Sequence, residues 1–415
     1  MTIFRLNRSR TRTGTSKGKS TFSSQYHRII NKRNQARIPY SVYDQDLTNN
    51  RKTNWSMGLH WALGPLRELV HESILSQIQE TQVDPHVPTH ETDRLPLYNG
   101  QTGELIKELV SKKFYRLRRD KFRNMLMTGI LVKWGKQLCD ITYSTNGERV
   151  TAKFTDGSED TGRILVGCDG PHSSVRRVLV GDEKANVTPI DFASTMCFTQ
   201  HTREHALFLR ASPHHPLYQV AAHPDGYCAW LSLHDGDDLD HPENWTFFHY
   251  ISYPEPKSHI SNRTNDEHVA YQKQLASLFV DPWKSVFEWM KPDHPVWYSK
   301  LRNWDPSLPE HRWDNKLGRV TLAGDAAHPM TFQRGQGLNH AIMDAYTIKK
   351  AIDSFWELPD LEKRADAVGE YEKEMIARGG EEVRLSEENS IAIHDWRKVM
   401  ESPSLRSGLA LDTDK

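Results

Sequence analysis

The chain lacks long apolar runs, net charge and all but four cysteines, and each shortage removes a class of function. No apolar stretch approaches the ~20 residues needed to span a bilayer. Lys plus Arg total 54 and Asp plus Glu total 54. Bulk electrostatics therefore gives no reason to expect nucleic acid or an acidic membrane as a partner. Cys139, Cys168, Cys197 and Cys228 are scattered without metal-type spacing, so free thiols in a reducing, cytoplasmic compartment are expected and no metal is. An apolar fraction of 37% and a mean hydropathy of −0.69 lie on the polar side for an enzyme. At 415 residues there is nonetheless enough chain for two or three domains with substantial cores. No internal repeat is visible.

Acid is also absent from the start. No Asp or Glu precedes Asp44, whereas ten Lys or Arg occur up to Arg37. Three readings compete for residues 1–35: a disordered basic tail, a mitochondrial-type transit segment, or sequence foreign to the working protein. The transit reading ranks last, because no amphipathic helix emerges.

Beyond this segment, Ile38–Tyr43 reads as a strand ending on Asp44, followed by helix around Trp61–Gln79. Residues 81–103, polar and rich in Pro, Asp and Thr, read as loop. Lys113–Thr128 reads as a basic helix. Thr142–Phe154 alternates around Asn146-Gly147, a hairpin signal. Short aromatic and β-branched runs follow at Leu207–Leu209, Tyr218–Ala222, Tyr227–Leu233 and Trp245–Tyr253, which predict an antiparallel sheet. Residues 265–290, 344–355 and 364–398 read as helical. The pattern is α/β, interrupted by a β-rich insert.

Two turns carry the chemistry. Val320-Thr-Leu-Ala-Gly-Asp325 is a buried strand running into a Gly-Asp turn. After Arg334-Gly-Gln-Gly-Leu-Asn339 the apolar residues fall at helical spacing. Such a junction collects an acid and a fan of backbone N–H groups at the positive end of a helix, a grip for a sugar hydroxyl, a phosphate or an electron-rich ring. Leu165–Arg177 repeats the design: strand, Asp169-Gly170 turn, then Ser173 as a plausible N-cap. There, Arg176 and Arg177 are candidates for phosphate contact. His328 is tempting as a base, but its place beside the loop favours a structural role. The histidines between 201 and 241 lack ligand-like spacing. Trp230 and Phe248 fit a substrate pocket and plain sheet core equally well.

With both turns in this order around a β-rich insert, the chain resembles the flavin-dependent aromatic-ring monooxygenases of the para-hydroxybenzoate hydroxylase type, and most of all the fungal members that act on secondary metabolites. The resemblance covers about residues 36–400. It rests on Gly324-Asp325-Ala-Ala-His-Pro329 and Gly167-Cys-Asp169-Gly170, supported by Tyr43-Asp44, Gly58-Leu-His-Trp61 and Arg119. It implies an α/β fold: a Rossmann-like FAD-binding domain (residues 36–185 and 300–360) with an inserted antiparallel β-sheet substrate domain (186–299) and C-terminal helices (361–415). It implies FAD as cofactor, NAD(P)H as co-substrate, and a small aromatic, polyketide- or terpenoid-type metabolite that is hydroxylated or epoxidised. By the same resemblance Asp325 holds the ribityl–pyrophosphate region and Pro329 lies near the flavin ring. Gly324 shapes the turn, and Gly335, Gly337, Leu338 and Asn339 offer backbone donors to the flavin. Gly58 and Arg119 contact the cofactor, Asp44 the adenosine ribose, and Asp169 both FAD and the nicotinamide nucleotide. No catalytic side chain, substrate identity or oligomeric state follows. A flavin-dependent dehydrogenase or cyclase, and an inactive homologue acting as a binding protein, are the alternatives.

One departure stands out. The family opens with a strand and a Gly-x-Gly-x-x-Gly turn, and nothing like it precedes Asp44. Ile29-Ile30 is all that remains of a possible strand, and Asn31, Lys32 and Arg33 stand where glycines allow close approach to pyrophosphate. Either the N-terminal segment has been exchanged, or FAD is no longer bound in the family's way. The match becomes good abruptly near Arg37, which favours exchange.

Overall fold

The computed structural model describes residues 2–6, 38–49, 54–211, 217–357 and 360–408. The possible strand at Ile29-Ile30 and most of the basic segment lie outside these residues. The strands are β1 (Thr2–Leu6), β2 (Tyr40–Tyr43), β3 (Ser56–Leu59), β4 (Thr92–Asn99), β5 (Leu105–Lys112) and β6 (Tyr115–Arg118). They continue with β7 (Val132–Lys133), β8 (Leu138–Tyr143), β9 (Val150–Phe154), β10 (Glu159–Gly162), β11 (Ile164–Cys168) and β12 (Thr188–Thr199). The last are β13 (Tyr218–His223), β14 (Tyr227–Asp235), β15 (Thr246–Pro254), β16 (Trp297–Asn303) and β17 (Val320–Leu322). The helices are α1 (Leu63–Leu69), α2 (Glu72–Leu75), α3 (Arg119–Leu126), α4 (Ser174–Val180) and α5 (Arg203–Arg210). After these come α6 (Asn265–Ala276), α7 (Trp283–Glu288), α8 (Gly337–Phe355), α9 (Leu361–Ile393) and α10 (Pro403–Ser407).

Two sheets organise the molecule. The first has the order β17-β11-β1-β2-β7. Here the expectation of a missing first strand is corrected: β1 fills the centre, but antiparallel to both β11 and β2. The physical demand is plain, since β2 and β11 each present a row of backbone donors and acceptors that must pair. Five residues were too few for periodicity to reveal. The remaining contacts, β11 with β17 and β2 with β7, are parallel. Val166, Leu322, Ile348, Phe355, Val368 and Met375 belong to the core joining this sheet to α8 and α9.

The second sheet has seven strands in the order β16-β12-β15-β14-β13-β4-β5, antiparallel except between β13 and β4. Strands β4 and β5 correct two expectations. Residues 92–99 are not loop, and the stretch 36–185 lends two strands to the sheet expected within 186–299. Adjacent charges, Asp93-Arg94 in β4 and Lys107-Glu108 in β5, break the period-two pattern and Pro96 interrupts β4, which masked the signal. Tyr115–Arg118 is likewise strand, so the basic helix begins only at Arg119. Leu207–Leu209 is helix rather than strand; Thr202 caps it by accepting from the His205 N–H. The hairpin at β8 and β9 forms as expected, with Gly147 at φ +75.

Period-two alternation gives this second sheet two distinct faces. Cys197, Leu231, Phe247 and Ile251 pack beneath α6 and α7. Their neighbours Met196, Trp230, Phe248 and Tyr250 point the other way, into a cavity.

Candidate active site

At the end of β17, Gly324 turns the chain with φ +59, and its N–H donates to the Asp344 carboxylate at 2.7 Å. Asp344 lies on α8 and is fully buried, as is His328, whose Nε2 sits 2.7 Å from it. Arg378 of α9 donates to the other carboxylate oxygen at 2.6 Å. Burial alone would raise the Asp344 carboxyl, but His328 and Arg378 outweigh it and hold it well below the usual range. The Tyr371 hydroxyl adds a bond to the Leu322 carbonyl at 2.7 Å. Close approach of α9 needs the glycine pair Gly379-Gly380: a Cβ on Gly379 would lie 2.7 Å from the His328 ring. His328 is thus part of the clamp on the turn, as its position in the sequence favoured.

The clamp leaves Asp325 facing the cavity with its side chain open. Its carboxylate accepts no hydrogen bond among the described residues, and the low polarity around it raises its pKa. Across the turn, α8 begins. The N–H groups of Gly337, Leu338 and Asn339 have no acceptor among the described residues, as the first turn of a helix dictates. Gly335, at φ +65, has nothing within 4 Å of where a Cβ would be, which leaves the approach open. The side chain of Asn339 has a role of its own, beside the backbone donor expected of it. That amide is buried and turned inward, accepting from the His60 N–H at 3.0 Å and donating to the Gly58 carbonyl at 3.0 Å. It fixes the β3–α1 loop against α8, assisted by a bond from Trp61 Nε1 to Gln336 Oε1 at 2.9 Å.

The second turn behaves differently. Asp169 is buried, and its carboxylate accepts from the Ser174 N–H at 2.6 Å, the Val175 N–H at 3.1 Å and the Ser173 hydroxyl. It caps α4 and does not line the cavity, although Gly170, Pro171 and His172 do. Ser173 is the N-cap foreseen, accepting from the Arg176 N–H at 2.9 Å. Arg176 is fully buried rather than offered to phosphate. It donates to the carbonyls of Ala185 at 2.9 Å and Ala326 at 2.8 Å, so it staples one turn to the other. Arg177 points outward and pairs with Asp182 at 3.3 Å.

Of the other expected residues, Gly58, Arg119 and Pro329 line the cavity. Arg119 stacks on Trp55 with 4.7 Å from its guanidinium carbon to the ring centre. Asp44 does not line it: only 1% exposed, it accepts from Arg123 at 2.9 Å and from the Asp46 N–H at 3.0 Å.

The cavity measures about 2540 Å³, against ~300–1,000 Å³ for an ordinary small-ligand pocket. One end holds Asp325, Arg119 and the start of α8; the other is walled by Trp230, Phe248, Tyr250 and Trp297. Trp230 and Phe248 are therefore wall as well as sheet. Sequence reasoning missed Arg116, which also lines this second end. Its signal was the alternation Tyr115-Arg116-Leu117, hidden inside a run read as helix.

A model of the FAD binding domain matches residues 284–357. The FAD-dependent monooxygenase cctM of Talaromyces islandicus is 35% identical over 374 residues, spanning 90% of this chain and 91% of that protein. The chain belongs to the FAD-dependent monooxygenases. The monooxygenase phnB of Penicillium herquei is similar at 35% over 379 residues, with 90% of each chain covered. Among solved structures, HpxO of Klebsiella pneumoniae complexed with FAD and uric acid has the same fold, with a TM-score of 0.64 at 19% identity over 86% of this chain and 84% of that one. A salicylate hydroxylase substrate complex matches equally well, with a TM-score of 0.64 at 16% identity over 85% and 84%. For a monooxygenase of this family the flavin end fits its cofactor: an acid and helix N–H groups without hydrogen-bond partners among the described residues meet an unobstructed glycine in one chamber. Among the described residues, no helix is long and apolar enough to cross a membrane.

Proposed function

We propose that this monooxygenase binds FAD through Asp325, Arg119 and the start of α8, takes electrons from NAD(P)H, and places one atom of O₂ on an electron-rich aromatic or enolic carbon of a small metabolite. The observation that carries this reading is Asp325: its carboxylate and three N–H groups face the same cavity, and none has a hydrogen-bond partner among the described residues. Bound FAD supplies the electron storage and oxygen activation that no side chain here can supply. The protein does the rest. Asp325 takes a hydroxyl of the cofactor's sugar chain, and the positive end of α8 favours negative charge developing on the ring beside it. The aromatic wall orients a flat substrate and keeps water from the reacting carbon. His60 faces the cavity, and burial lowers it to about 3, so it acts as a neutral ring and not as a cation. The four free cysteines fit a cytoplasmic protein.

Purified protein with FAD should show a flavin spectrum that NADH or NADPH bleaches without oxygen. Flat polyphenols turned over under ¹⁸O₂ should gain one labelled atom. Product formed without label would replace this reading with a dehydrogenase or cyclase. A metabolite-binding homologue without flavin is the second reading. It draws on the missing glycine turn and on Asp44, whose carboxylate is already engaged by Arg123. Protein that stays colourless in excess FAD would decide for it.

A further inference from the structure

Arg116 is a buried cation without a counter-ion among the described residues. It projects from β6 opposite Gly58, on the face that Tyr115 and Leu117 leave free. Only 8% of it is exposed, and it lines the aromatic end of the cavity. Its guanidinium carbon stands 5.0 Å from the Trp230 ring centre. Its Nε has no hydrogen-bond partner, and no carboxylate pairs with it among the described residues. Burial lowers the group only to about 10, so it stays charged at neutral pH. The ionisable groups that act most on it are the phenols of Tyr218 and Tyr250. Tyr218 is committed, donating to Asp93 at 2.7 Å. Tyr250 is not: it lines the cavity, has no hydrogen bond among the described residues, and burial keeps its hydroxyl protonated.

An uncompensated charge in an apolar site is costly, and proteins rarely keep one without a partner. Here a guanidinium and a phenol stand on a wall that Trp230, Phe248 and Trp297 share, and no carboxylate among the described residues pairs with the guanidinium. That is the complement of a flat ring bearing an oxyanion. We propose that Arg116, with Tyr250, is the anion receptor of the substrate chamber, and that the substrate is a planar ring carrying a phenolate, enolate or carboxylate oxygen. The inference rests on the monooxygenase reading of the cavity and narrows it: the ligand supplies the missing counter-ion, and neutral terpenoid-type substrates are disfavoured. Arg116 fixes which way the ring lies, and with it which carbon faces the cofactor.

Two probes share a ring and differ in charge: 2-naphthoate and the uncharged ketone 2-acetylnaphthalene. Each is titrated into the full chain, with and without FAD, while tryptophan fluorescence is read. Wild type should prefer naphthoate by at least about tenfold, as a charge-assisted pair in an apolar box requires. Arg116→Gln should erase the preference, Arg116→Lys should keep part of it, and Tyr250→Phe should narrow it. Without ligand, Arg116→Gln should melt no lower than wild type, because it removes an unpaired charge; a role confined to packing on Trp230 predicts a lower melting temperature. Equal or absent binding of naphthoate by wild type, or a preference that survives Arg116→Gln, overturns the proposal. Should Arg116→Gln fail to fold, an unchanged preference in Tyr250→Phe overturns it. The readout needs no turnover, so protein that refuses FAD yet keeps the charge preference refutes the monooxygenase reading and spares the receptor.

Discussion

Asp169 and Asp325 stand at turns of the same design, each at the end of a parallel strand and beside a glycine with positive φ, yet their hydrogen bonding is opposite. Asp169 is saturated: two backbone N–H groups and a hydroxyl fill its carboxylate, and its role is to start α4. Asp325 has no hydrogen-bond partner among the described residues, because the groups that hold its turn in shape act on the backbone and on Asp344 instead. Similarity of motif therefore says little about role. What separates a structural acid from a ligand-binding one is whether the protein has already filled its acceptors.

The sharpest test removes the charge beneath the turn. Asp344→Asn leaves the buried His328 without its carboxylate and Arg378 with Glu374 alone, and should cost ~3 kcal/mol in urea unfolding. The same variant carries a pH signature. The folded carboxyl titrates well below its ordinary value of 3.8, so its contribution is present above that value and is lost as pH falls through the folded one. Wild-type stability should drop on acidification below pH 3.8, and the variant's should drop less steeply. Parallel acid profiles would mean that Asp344 is not the charge that matters.

Asp169→Ala comes next, at ~2–3 kcal/mol, from two N–H groups left without an acceptor, that of Val175 buried and that of Ser174 partly so. Protein that still folds should take up FAD normally. Full stability with lost flavin would reverse the roles assigned to the two acids. Asp325→Ala should change stability by only ~0.5 kcal/mol, since nothing in the protein leans on its carboxylate, while flavin content collapses. Flavin retained through purification of that variant would remove Asp325 from the site. A smaller effect on flavin binding is expected at the adenine end. Replacing residues 1–37 by a strand and Gly-x-Gly-x-x-Gly turn should tighten FAD by about tenfold, ~1.4 kcal/mol. Identical flavin affinity in the two proteins would show that the glycine turn is not what limits binding.

Much of the frame was readable from the chain, for identifiable reasons. Strand β17, the start of α8 and the hairpin at Asn146-Gly147 each combine a clear apolar pattern with a strong turn residue. The misreadings fall where local pattern and tertiary partner disagree. Strands β4 and β5 carry consecutive charges that spoil the alternation, and they look like loop until they pair with each other and β13. Leu207–Leu209 is apolar enough for a strand, and the decisive residue, Thr202, lies outside the run. Arg116 belongs to a basic stretch that is half strand and half helix, and only its strand neighbours show which way it points. The difference between Asp169 and Asp325 has a faint local sign: Ser173 follows the first acid at capping distance, and no such residue follows the second. Asp344, His328 and Arg378 come together from two helices and a loop, and no spacing announces that.

The glycine pair in α9 has a practical meaning for anyone engineering this protein. Replacing a helical glycine by alanine is a standard stabilising move, worth ~0.4–1 kcal/mol where the backbone tolerates it. At Gly379 the added methyl would meet the His328 ring at 2.7 Å, and at Gly380 it would meet Asp305 Oδ1 at 2.7 Å. A consensus or propensity-guided redesign would select both positions early, and would wedge the long helix away from the turn that presents Asp325. The harm would register first as pale protein, and only afterwards as a lower melting point.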